Sequence, residues 1–230
     1  MKKWGFIFLF MVTFFSALAQ SGTVRINNGK IVEGDLFKEK LLIFDNYVDG
    51  RIRLKDNTYY TSKLNINTMT QSLRVISEEG DTIIVNFENM VDVVSAGNMF
   101  LRKIQNSYIQ ILNTDGDVSL GLVRKINMGK EKLVGAYGGT NEVSSIAKVS
   151  SIDVDSRFEK IVGSSTLSFD YVENLFLLQG SRLVPATRRN FERMFSKKKS
   201  EIRSYVDQNN TRFNKKEEVA ALFNFLTNNQ

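Results

Sequence analysis

Apolar and polar positions keep two different periods along this chain. From Thr23 onward the period is two: Val24 and Ile26 alternate with polar neighbours, as do Ile52 and Leu54 in "RIRLKD". Val118, Leu120 and Leu122 share one face of "DVSLGLV". Such alternation predicts strands with one buried face. Turn signals separate them at Asn28-Gly29, Asp49-Gly50, Glu79-Gly80, Asp115-Gly116, Gly138-Gly139 and Gln179-Gly180, which predicts antiparallel hairpins. "DTIIVNF" is instead a continuous apolar run and predicts a strand buried on both faces. "TVRINNGKIVEGDLF" and "SLRVISEEGDTIIVNFENM" share a strand–turn–strand shape with an aromatic near the end, a periodicity of hairpins and not of residue identity. The single proline, Pro185, leaves nearly all of these segments free to donate ladder hydrogen bonds.

Beyond Pro185 the period changes to that of a helix. Phe191, Met194 and Phe195 fall on one face, then Ile202, Tyr205 and Val206, then Val219, Leu222, Phe223 and Leu226. Asn209-Asn210 predicts the end of one helix, and Asn214 with Glu217 predicts a capping box at the start of the last. Helices this short are marginal alone and must dock on something apolar. The expected fold is therefore α+β: an antiparallel β meander over residues 20–184, folded as a sandwich or curled sheet, with two or three short helices over residues 185–230. An outer-membrane barrel also alternates, but it ends on a lipid-facing strand with a terminal aromatic, whereas this chain ends "FNFLTNNQ".

The first residues change the setting of everything that follows. Lys2 and Lys3 precede an almost unbroken apolar run, Trp4 to Phe15, and Ala17-Leu18-Ala19 supplies small residues before a cleavage point. Residues 1–19 thus read as a secretory signal peptide, its apolar run shorter than a bilayer span requires. The expected location is periplasmic or extracellular. Removing Lys2 and Lys3 lowers the formal charge from +6 to +4. The absence of cysteine suits an oxidising compartment and leaves stability to a hydrophobic core.

The chain has no histidine, which removes the commonest general base near neutral pH and every Ser-His-Asp or Cys-His arrangement. Without His or Cys, ordinary zinc, copper and haem sites have no ligands, and neither phosphate-binding glycine loop is present. No catalytic residue, metal or cofactor is expected. Asn113, Asp115, Asp117 and Ser119 in "NTDGDVS" superficially resemble a calcium loop, but Gly116 and Arg124 fall where that loop cannot use them, and a polar hairpin turn explains the run. Asp153 and Asp155 share a strand face, and they carry the alternative reading, a carboxylate-dependent hydrolase. Tyr59 and Tyr60, with the Thr, Ser and Asn that follow, suit either a sugar- or peptide-binding surface or an ordinary exposed strand.

Positive charge gathers at the end. From Val184 onward there are ten basic and five acidic residues, a net of +5. Phe191, Phe195 and Tyr205 sit at core spacing, so they would be buried and could not stack on bases, and no nucleic-acid role is expected. A solvated helix face is the plain reading. The functional one is contact with an envelope protein or an anionic envelope surface through Arg188, Arg189, Lys197, Lys198, Lys199 and Arg203.

The signal ending "ALAQ", segments such as "GKIVEGDLF" and "LKDNTYYTSKLNIN", and the lysine-rich "FSKKKSEIRSYVDQNN" resemble the uncharacterised secreted proteins of Bacteroidota. The resemblance is one of style over most of the length and carries no catalytic motif. It implies export to the periplasm or beyond and nothing about activity; the expected role, with no catalytic motif present, is a non-catalytic binding or structural one in the cell envelope.

Overall fold

The computed structural model describes residues 20–134, 140–144, 161 and 163–228. The chain is mostly antiparallel sheet with short C-terminal helices. The first hairpin joins β1 (Gln20–Asn27) to β2 (Lys30–Glu33) through Asn28 and Gly29, both at positive φ (47° and 79°), the turn that matches strand twist. Helix α1 (Asp35–Leu41) follows, and its Phe37 meets Phe169 edge-on at 5.1 Å over the buried Val24 and Ile26. Then come β3 (Val48–Leu54), β4 (Tyr59–Asn67), β5 (Ser72–Ile76), β6 (Thr82–Ile84) and a 3₁₀ turn at Glu88–Met90. The two segments that share a pattern in the sequence therefore share a form, a hairpin leading into a helical turn.

A second run of hairpins comprises β7 (Val91–Ala96), β8 (Met99–Ile104), β9 (Ser107–Asp115) and the long β10 (Val118–Val134). β11 (Thr140–Ser144) pairs with β10, β12 (Ser164–Gln179) returns along it, and β13 (Arg182–Pro185) folds back on β12. The strands form one sheet in the order β2-β1-β12-β10-β9-β8-β7-β3-β4-β5-β6. Three joins in that order link strands not consecutive in the chain: β1 against β12, β12 against β10, and β3 against β7.

Three expectations are corrected. Asp49-Gly50 is no turn but lies inside β3, where a Cβ on Gly50 would stand 2.5 Å from the Leu64 side chain and 3.1 Å from Ala96 Cβ. That glycine serves close packing between strands. "DTIIVNF" yields only the short edge strand β6, with Ile83 46% and Ile84 40% exposed, because it pairs on one side only, with β5. A short edge limits unwanted pairing. Thirdly, the expected capping box is replaced. Glu218, one residue beyond Glu217, reaches back to accept from the Arg212 backbone N–H (2.6 Å) and guanidinium (2.8 Å).

The C-terminal part is α2 (Arg188–Met194), a 3₁₀ turn (Ser196–Lys198), α3 (Lys199–Asn209) and α4 (Lys216–Asn228). Asn210 closes α3 in the left-handed region at φ 48°, a conformation asparagine tolerates. The helical stripes read from the sequence face the sheet. Phe191, Ile202, Val206, Val219, Leu222, Phe223 and Leu226 pack on Val118, Leu120, Leu122, Leu175 and Leu177. Phe191 lies 6.0 Å from Phe213, and Phe195 meets Phe223 edge-on at 5.7 Å.

Candidate functional site

Two polar constellations stand out, one anticipated and one not. The anticipated one is the basic outer face of the helical cap. Arg188 bonds Asp207 at 3.0 Å and lies 3.5 Å from Glu192, and Arg203 grips Glu192 through two bonds of 3.0 and 3.1 Å. The hydrogen bond from Arg203 is the main reason the Glu192 carboxyl sits below the usual carboxylate range. Lys198 donates to the Leu226 carbonyl near the end of α4, where a cation also complements the helix dipole. So Arg188, Lys198 and Arg203 are engaged within the molecule. Arg189, Lys197 and Lys199 are exposed and have no carboxylate partner among the described residues. Arg193, which sequence reasoning left out, joins them one helical turn from Arg189.

The other candidates separate cleanly. "NTDGDVS" forms the β9–β10 corner, with Gly116 at φ 55° and Asp117 accepting from Gln179 at 2.7 Å. Asp153 and Asp155 lie outside the described residues. Tyr59 and Tyr60 are exposed at the start of β4, Tyr59 beneath the Arg51 guanidinium at 4.0 Å.

From Asn65 the same strand turns inward, which the sequence did not reveal. Asn65, Asn67, Thr68, Gln71 and Ser72 are all buried. Asn65 accepts from the Phe44 N–H (3.1 Å) and donates to the Phe44 carbonyl (2.7 Å), doing for the loop after α1 what a strand partner would. Thr68 donates to the Lys40 carbonyl (2.6 Å), near the C-terminus of α1. Gln71, left-handed at φ 55°, donates to the Thr68 and Arg124 carbonyls (2.8 and 2.9 Å) and accepts from the Tyr108 N–H (3.2 Å). The Ile126 N–H donates to the Thr68 carbonyl at 3.3 Å. Through these bonds the β4–β5 turn lies against the middle of β10, several strands away along the sheet, and the sheet is curled onto itself.

Beside that turn lies a cavity of about 380 Å³ lined in part by Lys55, Gln71, Glu88, Asn89, Lys103 and Asn106. The Lys103 ammonium donates to the Gln71 carbonyl at 3.0 Å, stands 4.0 Å over the Tyr108 ring, and is 3.6 Å from Glu88 Oε2. Glu88 Oε1 accepts from the Leu73 N–H and, at 3.4 Å, from the Tyr108 hydroxyl. Burial pulls the Lys103 pKa below the ordinary lysine range against the opposing pull of Glu88. Burial also pushes the Tyr108 hydroxyl upward, and the Glu88 charge adds to it. The one available signal was the run of amide and hydroxyl residues in "NINTMTQS", whose composition reads equally as an exposed strand or a binding surface.

No protein-family model matches this chain, and no curated protein or solved structure is similar enough to count as a match.

Proposed function

We propose that this is an exported, non-catalytic binding protein of the cell envelope, and that the basic face of its helical cap docks on an anionic surface. One observation carries the reading. Arg188, Lys198, Arg203 and Arg212 are engaged within the fold, while Arg189, Arg193, Lys197 and Lys199 stand exposed on helical elements packed against the sheet, with no acidic partner among the described residues. Fixed, unneutralised cations raise the local concentration of anions and favour binding to a negatively charged surface. Lys2-Lys3, the apolar run after them and Ala17-Leu18-Ala19 support the export that would bring this face to the envelope.

The test is co-sedimentation with vesicles of phosphatidylglycerol and phosphatidylcholine. Reversing Arg189, Lys197 and Lys199 to Glu leaves the internal bonds of Arg188, Lys198 and Arg203 in place. At about 1 kcal/mol per basic residue near an anionic bilayer, the triple variant is expected to lose roughly 100-fold or more in partitioning. High salt should release the parent protein. Unchanged sedimentation of the variant, or no binding by the parent at low salt, overturns the reading.

A further inference from the structure

We propose that the cavity between the β4–β5 turn, the Glu88–Met90 turn and the end of β8 binds a small organic carboxylate. Its floor is built. Lys103 has only 9% of its side chain exposed, and Gln71 beside it is buried. The rim, with Lys55, Asn89 and Asn106, is exposed. A volume of about 380 Å³ is the size that holds a small ligand.

The charges select the class. Two lysines and one glutamate line the space, which leaves one positive charge over. Glu88 is already committed. Its Oε1 accepts from the Leu73 N–H and the Tyr108 hydroxyl, so it offers little to an incoming cation. Its Oε2 stands 3.6 Å from Lys103, too far for a hydrogen bond, and the Lys103 ammonium spends one N–H on the Gln71 carbonyl. A desolvated ammonium whose charge is incompletely answered gains most from an anionic acceptor. Lys55, which donates to the Asn89 carbonyl at 2.7 Å, supplies the second cation at the rim, where Asn89 and Asn106 also line the space. No arginine lines the space, so an anion would be held by two point charges and not by a bidentate fork, and a volume of about 380 Å³ is more than inorganic phosphate fills, which favours an organic anion. Bound carboxylate would also bridge the curl of the sheet, because Gln71 in the floor bonds both Arg124 of β10 and Tyr108 of β9.

The probe is succinate, with 1,4-butanediol as the neutral analogue of the same length. In ¹H–¹⁵N spectra of the full chain, succinate should shift the amides around Gln71, Glu88, Asn89 and Asn106 saturably, and butanediol should not. Lys103→Met keeps the length and removes the charge, and it is expected to weaken binding by about ten-fold or more, the equivalent of one charge-assisted hydrogen bond. Should that variant fail to fold, Lys55→Gln at the exposed rim is expected to weaken binding about three-fold or more with the fold intact. The proposal is overturned by any of four results: no shifts up to about 20 mM succinate, shifts confined to Arg189, Lys197 and Lys199, equal shifts with butanediol, or tighter binding of inorganic phosphate.

Discussion

The C-terminal helices and the β4–β5 turn both close parts of one sheet, and they do so by opposite means. The helices bury aromatic and aliphatic side chains on Val118, Leu120 and Leu122 and keep their charges outside. The β4–β5 turn buries Asn65, Asn67, Thr68 and Gln71 and holds its place through hydrogen bonds to backbone groups on α1, β9 and β10. Apolar closure is tolerant, because transfer from water is non-directional and many packings of similar volume serve. Polar closure is exacting, because each buried amide is stabilising only while its partners are in place.

The comparison can be broken by substitution. Phe191→Ala empties the centre of the helical cap, where Phe195 and Phe213 pack, and should lower stability by about 3–5 kcal/mol in denaturant unfolding. A loss below about 1 kcal/mol would show that the helices do not share a core with the sheet. Gln71→Leu keeps approximate volume but removes the bonds that Gln71 makes to the Arg124 carbonyl and the Tyr108 N–H, and leaves the Thr68 carbonyl only the Ile126 N–H. With about 1–3 kcal/mol for each group left buried and unsatisfied, partly offset by relaxation, the expected loss is about 2–4 kcal/mol. A loss within about 0.5 kcal/mol, as for a surface turn, would show that the buried amide does not hold the turn in place.

The smallest effect is a pH dependence on the outer face of the cap. The Arg203 hydrogen bond holds the Glu192 carboxyl below its ordinary pKa. Its contribution is therefore fully present above the unfolded value, roughly 4.3, and is lost as pH falls through the folded value. Glu192→Gln should lower the urea midpoint slightly at neutral pH, and the difference from the parent should be smaller at about pH 3. A gap of the same size at both pH values would mean that the Arg203–Glu192 pair does not contribute through charge.

Legibility in the sequence followed the same division. The cap could be read because Phe191, Ile202, Val206, Leu222 and Leu226 recur at helical spacing, and burial enforces that period. The hairpins at Asn28-Gly29 and Asp115-Gly116 could be read because the positive φ at Asn28, Gly29 and Gly116 selects asparagine and glycine. Gly50 misled because a glycine required for close strand packing is spelled like a glycine required for a turn. Ile83 and Ile84 misled because an apolar run does not say whether a second strand will cover it. Local sequence placed all six candidate cations on the cap, but only the positions of Glu192, Asp207 and Leu226 separated engaged Arg188, Lys198 and Arg203 from free Arg189, Lys197 and Lys199.

By itself, then, the sequence determined the α+β class, the short hairpins and the docking stripes of the helices. These depend on periods of two and 3.6 and on local dihedral preference, which a few neighbouring residues encode. Only the tertiary structure decided that β1 pairs with β12, that β3 pairs with β7, and that "NINTMTQS" is a buried polar joint and not a wet surface. The reason is physical: a buried amide is recognised by its partners, and the partners of Gln71 lie 37 and 53 residues away at Tyr108 and Arg124.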